Sequence, residues 1–233
     1  MKTIGIIGAM DLEIELIKNN ITILKEEIYA GFKFYIGAFK NVNLVLTSCS
    51  IGKVNAAACT QILIDKFRVT SIINTGIAGG LNDEVKICDI VISNNVTYHD
   101  VCKEQMKGWF PFVEYFETSN LLVEVAVQAY KNLEIKEFNY HIGRIVTGEA
   151  FISDNEAKIN IIKNYSPHCV EMEGSAIGHV AYINKIPFIV IRSISDNADN
   201  DAHTNYENFE KISANNSSKL VLNMLKIIND RAD

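Results

Sequence analysis

Five short runs rich in Ile and Val constrain this chain more than any other feature: Thr3–Gly8, Val42–Cys49, Ser71–Thr75, Asp89–Ser93 and Phe188–Ile194. They are almost continuously apolar rather than alternating. Strands covered on both faces have this signature, because neither side of the pleat meets water. Helix-period segments lie between and after them, at Val54–Phe67, Leu121–Leu133, Asn155–Asn164, Gly174–Ile183 and Tyr206–Ile228. The last begins at Thr204-Asn205-Tyr206-Glu207, which has the form of a capping box. The stretch Glu26–Cys49 instead predicts antiparallel ribbons, with turns at Ala30-Gly31 and Asn41-Val42-Asn43. Together these features predict an α/β fold with a mixed sheet flanked by helices, formed by residues 1–233 as one domain. A chain of 233 residues, 48% hydrophobic, can bury a core of that size.

Composition excludes several classes of function. The net charge is -6 and the acidic and basic residues are interspersed. Neither a nucleic-acid face nor an anionic membrane surface is indicated. Cys49, Cys59, Cys88, Cys102 and Cys169 are odd in number and widely spaced. They predict free thiols in a reducing compartment rather than disulfides or a zinc site. The opening residues turn acidic within a dozen positions, unlike a signal peptide, and no apolar run nears the ~20 residues of a spanning helix. The expectation is a cytoplasmic protein. His99, His141, His168, His179 and His203 show no metal-ligand spacing, and there is no Gly-x-Ser-x-Gly elbow.

In sheets of this kind ligands gather where strands end, and four segments occupy such places. Gly5-Ile6-Ile7-Gly8-Ala9-Met10 leads into Asp11-Leu12-Glu13 but lacks the Gly-x-Gly-x-x-Gly of a dinucleotide loop. Glu13 reads equally as a first-turn acid favoured by the helix dipole. Asn74-Thr75-Gly76-Ile77-Ala78-Gly79-Gly80 brings backbone close to a ligand or to another strand. In Val170-Glu171-Met172-Glu173, strand alternation would point Glu171 and Glu173 to one side and Met172 to the other. Paired carboxylates accept hydrogen bonds from sugar hydroxyls, and the competing use of Glu173 is helix capping. Finally, Arg192-Ser193-Ile194-Ser195-Asp196 ends a hydrophobic strand in an acid. Burial would raise the proton affinity of Asp196 and Arg192 would lower it; a plain turn-forming Asp is the alternative.

These segments, with Ser50-Ile51-Gly52-Lys53-Val54-Asn55-Ala56-Ala57 and Thr147-Gly148-Glu149-Ala150-Phe151-Ile152, resemble the methylthioadenosine/S-adenosylhomocysteine nucleosidases of the purine nucleoside phosphorylase/uridine phosphorylase superfamily. The resemblance runs over nearly the whole chain. It implies a three-layer α/β/α, nucleoside phosphorylase-like fold, a homodimer, an adenine nucleoside as substrate, and neither metal nor organic cofactor. Position by position it implies that Glu13 activates water, Glu173 holds the ribose hydroxyls and Asp196 protonates adenine N7 with Ser195 beside it. Phe151 stacks on the base and Ile152 bonds it through its backbone. Met172 and Ile51 pack against the sugar and 5' group, and Glu171, Arg192 and Ala78 complete the substrate-binding set. Related readings are an aminodeoxyfutalosine nucleosidase, a phosphate-dependent purine nucleoside phosphorylase, and a nucleoside-binding protein without turnover. The arginines are Arg68, Arg144, Arg192 and Arg231, and neither the first loop nor the Thr75–Gly80 turn has one to offer a phosphate its planar fork. Hydrolysis is the reading that follows. Two departures stand out: Ile77 where the family often has Ser, and the divergent Val101–Glu117, whose Trp109, Phe110, Phe112 and Phe116 read either as an apolar lid or as a variable surface or dimer-contact loop.

Overall fold

The computed structural model describes residues 3–134 and 138–231. Its strands are β1 (Thr3–Gly8), β2 (Thr22–Tyr29), β3 (Phe32–Phe39), β4 (Val42–Ser48), β5 (Ser71–Gly80), β6 (Ile90–Tyr98), β7 (Phe116–Glu117), β8 (Tyr140–Thr147), β9 (Cys169–Glu171) and β10 (Phe188–Asp196). The helices are α1 (Asp11–Lys18), α2 (Lys53–Phe67), α3 (Lys103–Gly108), α4 (Asn120–Lys131), α5 (Asn155–Tyr165), α6 (Gly174–Ile183) and α7 (Ala202–Asp230). One sheet runs β10-β6-β8-β9-β5-β1-β4-β3-β2, with β7 appended to β6. Because β10 also pairs with β5, strands β5, β10, β6, β8 and β9 close into a ring from which β1, β4, β3 and β2 extend.

The continuous apolar runs are explained by cover on both faces. Along β10, Ile189 and Ile191 face a core built with Ile14 and Ile17 of α1, Val125 of α4 and Leu220 and Met224 of α7. Val190 and Ile194 face the other way, against a second core that includes Cys59 and Leu63 of α2 and Ile177 of α6. Helices therefore sandwich the sheet, as the near-continuous strand pattern requires. All five cysteines are unpaired. Among the described residues no helix is long and apolar enough to cross a membrane.

Several boundaries differ from expectation. Helix α7 starts at Ala202, so Thr204 and Glu207 lie inside its first turns and form no capping box. The turn that launches it is upstream, where the amides of Asp201 and Ala202 both donate to Asp199. The second ribbon turn falls on Lys40-Asn41, with Lys40 at φ +52°, one residue before the expected site. Strand β6 begins after Asp89, whose carboxylate instead accepts from the Asn139 and Lys86 amides. Phe116 is no lid residue: it is fully buried and stacks on His179 at 4.7 Å. Trp109, Phe110 and Phe112 remain 68%, 69% and 64% exposed, so the apolar surface of this loop faces outward.

Candidate active site

The parallel strands β1, β5 and β10 end side by side, and a cavity of about 350 Å³ opens at their C-terminal ends. That volume lies in the range of small-molecule sites, about 300–1,000 Å³. Glu13, Glu171, Met172, Glu173, Ser195 and Asp196 all line it, as do Ile51, Ile77, Ala78 and Phe151. Three carboxylates distant in sequence, at 13, 173 and 196, thus meet around one space.

Glu13 reaches the cavity because it is the third residue of α1 and folds back over its own helix start. Its Oε2 accepts the Ala9 and Met10 amides at 2.6 and 2.9 Å, and its Oε1 accepts the Ile77 amide at 3.0 Å. The first-turn acid and the site acid are therefore the same carboxylate. Burial pushes its pKa up, opposed by Arg192 and by these three amides. Gly76 leaves the room: a Cβ there would lie 2.0 Å from Arg192 Nη1 and 2.5 Å from Glu13 Oε1.

Strand alternation does not govern residues 171–173, because β9 ends at Glu171. The following turn swings both Met172 and Glu173 toward the cavity. Glu173 sits at the N-cap of α6 but makes no side-chain cap. Glu171 performs that duty, its Oε2 accepting the Glu173 and Gly174 amides at 3.0 and 2.7 Å. Glu171 also takes very short bonds from Thr147 Oγ1 and Arg192 Nη2. The Glu173 carboxylate is left free to face a ligand, with Oε1 accepting the Gly52 amide at 2.9 Å. Burial pushes its carboxyl well up, against the pull of Arg192 and with a further push from Glu171 and Glu13.

Arg192 is 1% exposed and does not line the cavity, which corrects its assignment as a substrate contact. It lies beneath the acids: Nη2 bonds Glu171 and is 3.4 Å from Glu173 Oε2, and Nη1 is 3.8 Å from Glu13 Oε1. Asn74 Oδ1 takes a further bond at 2.9 Å. Burial opposes its charge, but the three carboxylates outweigh this and hold it protonated. Asp196, the last residue of β10, is bonded by other groups. There Oδ2 accepts from Ser195 Oγ and Oδ1 from the Ala198 amide, both at 2.8 Å. Burial raises the Asp196 pKa, the two donors only partly offsetting it.

Apolar walls complete the space. Phe151 stands 4.9 Å from His203 and edge-on to Tyr206 at 5.7 Å, and all three face the cavity. Ile152 does not line it; its side chain packs with Leu81, Val146 and Ile161 in a third core cluster. Sequence reasoning missed His203, Tyr206 and Met10. Their signal was the three-residue step from 203 to 206, hidden when the start of α7 was placed too late. Among the described residues no other arginine lines the cavity: Arg68 caps α2, Arg144 bonds Asn95 and the Tyr165 carbonyl, and Arg231 bonds Gln128.

A family model for the phosphorylase superfamily matches residues 3–226. The chain is 38% identical over 231 residues to the 5'-methylthioadenosine/S-adenosylhomocysteine nucleosidase of Exiguobacterium sp., covering 96% of this chain and 97% of that one. A crystal structure of the corresponding nucleosidase from Neisseria meningitidis, in complex with methylthio-immucillin-A, superposes with a TM-score of 0.91 at 35% identity, covering 97% and 99% of the two chains. The futalosine hydrolase of Helicobacter pylori is also similar, with a TM-score of 0.89 at 30% identity and 97% coverage of both.

Proposed function

The chain belongs to the phosphorylase superfamily, and from that membership and the cavity's chemistry we propose that it hydrolyses the N-glycosidic bond of 5'-methylthioadenosine and S-adenosylhomocysteine. The products are adenine and the 5'-substituted ribose; 5'-deoxyadenosine is a further substrate of the same kind. One observation carries the reading: the carboxylates of Glu13, Glu173 and Asp196 converge on one cavity walled by Phe151, Met172 and Ile51.

Each acid sits in the environment its role needs. Adenine is a poor leaving anion, so departure requires a proton on the base. Burial raises the proton affinity of Asp196, which passes a proton to N7 as the C1'–N9 bond breaks. The ribose gains oxocarbenium character as that bond stretches, and the surrounding carboxylates stabilise it, as in glycosidases. Glu173 accepts the ribose hydroxyls. Glu13, oriented by three amides, takes a proton from the water whose oxygen bonds C1'. Solvent then returns a proton to Asp196 and removes one from Glu13, so the cycle balances with one water consumed. General acid and general base each contribute ~10²–10⁴-fold.

Water rather than phosphate is the nucleophile. A phosphate would meet Glu13 and Glu173 with no free arginine, since Arg192 is already shared among Glu171, Glu173 and Glu13. The exposed Trp109, Phe110 and Phe112 suit a homodimer contact in which a second copy covers the cavity's 5' end. A cytoplasmic location is part of the proposal, supported by the five unpaired cysteines.

The deciding assay follows adenine release by the purified chain from 5'-methylthioadenosine, S-adenosylhomocysteine, 5'-deoxyadenosine and aminodeoxyfutalosine, with and without phosphate. Release from the first two at a rate independent of phosphate is expected. A rate proportional to added phosphate, or cleavage of aminodeoxyfutalosine alone, overturns the reading.

A further inference from the structure

Helix α2 begins at Gly52 with no side chain of its own to cap it. Its first amides need acceptors, and two carboxylates from elsewhere supply them. Gly52 N donates to Glu173 Oε1 at 2.9 Å, and Lys53 N donates to Glu149 Oε2 at 3.2 Å. Lys53 Nζ in turn donates to Asp100 Oδ2 at 2.6 Å and lies 3.9 Å from Glu149 Oε2. Asp100 Oδ2 also accepts the Glu149 amide at 2.9 Å. Three charged side chains therefore knot together the loops that follow β4, β6 and β8.

The loops after β6 and β8 are already joined by the ladder that pairs Tyr98 with Thr147 and by the His99 amide on the Thr147 carbonyl, so what the clasp adds is the β4 loop. Between β4 and β8 lie β1, β5 and β9, so no ladder bond joins their ends. Yet one loop carries Ile51 and the amide on Glu173, and the other carries Phe151. The contact is tight: a Cβ on Gly52 would meet Glu149 Oε1 at 2.5 Å, which a residue already at φ +103° does not tolerate. The pair is also shielded. Lys53 and Asp100 side chains are 22% and 29% exposed, and the ammonium lies 5.5 Å above the Tyr98 ring. Such a charge-assisted bond is stronger than a solvent-screened one.

We propose that Lys53, Asp100 and Glu149 form a clasp that fixes the sugar wall at Ile51–Gly52 against the base wall at Phe151, so that one rigid nucleoside satisfies both at once. They are positioning residues for substrate affinity. The proposal rests on the nucleoside reading of the cavity. Opening the clasp affects the two walls unequally. Phe151 keeps its contacts with His203 and Tyr206 on α7. The Ile51–Gly52 loop keeps the bond to Glu173 and, upstream, the Cys49 amide on the Gly8 carbonyl, but no contact with the base wall.

The test compares two probes by calorimetry on the full chain: adenine, which needs the base wall alone, and 5'-methylthiotubercidin, an uncleaved nucleoside that needs both. Lys53→Met and the isosteric Glu149→Gln are expected to raise the nucleoside Kd about tenfold, equivalent to about 1.4 kcal/mol. The adenine Kd should stay within about twofold, and Lys53→Arg should restore much of the loss. Lys25→Met, which removes a surface charge paired with Glu27 on β2, serves as the control and should match wild type. Equal weakening of both probes would reveal a general structural role and overturn the clasp; so would unaltered nucleoside binding. Adenine release from 5'-methylthioadenosine is measured in parallel. A wild-type chain that binds both probes without turnover would sink the hydrolase reading and leave the binding comparison intact.

Discussion

Replacing Asp196 by Asn removes one proton and little else. The Asn oxygen keeps the bond from the Ala198 amide at 2.8 Å. Its nitrogen takes the place of Oδ2, which now accepts from Ser195 Oγ. Ser195 then has to turn its hydroxyl proton toward the Ala78 carbonyl, 3.4 Å away, and accept from the new amide. One hydrogen bond is reversed and none is orphaned, so the stability change should stay within about 1 kcal/mol. Burial that disfavoured the carboxylate is no longer felt by a neutral amide. The amide still donates to adenine N7, so binding should survive. It has no proton to give up, and loss of a general acid costs ~10²–10⁴-fold in rate. That corresponds to about 2.7–5.5 kcal/mol of barrier. Adenine release by ultraviolet difference spectroscopy gives kcat, calorimetry with adenine gives affinity, and thermal melting gives stability. A variant with wild-type melting and more than about a tenth of wild-type kcat would refute the acid assignment, because no neutral amide supplies the missing proton.

Two further outcomes test the charge arrangement. Burial raises the Glu173 carboxyl above its ordinary 4.5, so the folded state holds a proton that the unfolded state has lost. Stability from this group is complete below pH ~4.5 and drains as pH rises through the higher folded value. Glu173→Gln should therefore flatten the fall in melting temperature between about pH 5 and 8, and gain on the order of 1–3 kcal/mol at the upper end while activity is lost; an unchanged slope would contradict it. Arg192→Met should destabilise by about 3–5 kcal/mol at pH 8, by leaving three buried acids without their cation. The loss should shrink near pH 5, where Glu13 and Glu173, whose carboxyls burial pushes up, can protonate, and urea unfolding at the two pH values reads it directly; an equal loss at both would indicate packing alone.

How much of this was legible in the sequence depended on whether a residue's partners were local. Strands β1, β4, β5 and β10 announced themselves because both faces are apolar. Strand β8 did not, since Tyr140–Thr147 includes His141, Gly143 and Arg144. Those residues are accommodated only by distant groups: Arg144 by Asn95 and the Tyr165 carbonyl, Gly143 by the His168 ring that a Cβ would strike at 2.0 Å. Strand β9, three residues long, carries too little pattern to detect. Ring closure between β5 and β10 is a pairing of remote segments, beyond any local periodicity. The site acids were visible because each follows or ends a hydrophobic run. The orientation of Glu173 was not, because it depends on β9 stopping at Glu171. The place of Arg192 was hidden for the same reason: its partners come from α1, β5, β9 and the start of α6.

Three carboxylates at one cavity would repel one another if treated alike, and the fold prevents this by giving each a different counterweight. Glu13 is held by amides and lies near Arg192 without bonding it: the 3.8 Å gap leaves its proton affinity raised by burial. A general base works better with its proton affinity raised in this direction. Glu171 takes the shortest bond from the guanidinium, and Glu173 Oε2 takes a longer one at 3.4 Å. Glu173, whose carboxyl burial pushes up, faces the cavity where sugar hydroxyls can reach it. Asp196 is bonded by Ser195 and the Ala198 amide rather than by the cation, and burial raises its proton affinity. One arginine, placed below rather than within the cavity, thus sets apart a base, a sugar acceptor and an acid made from the same functional group.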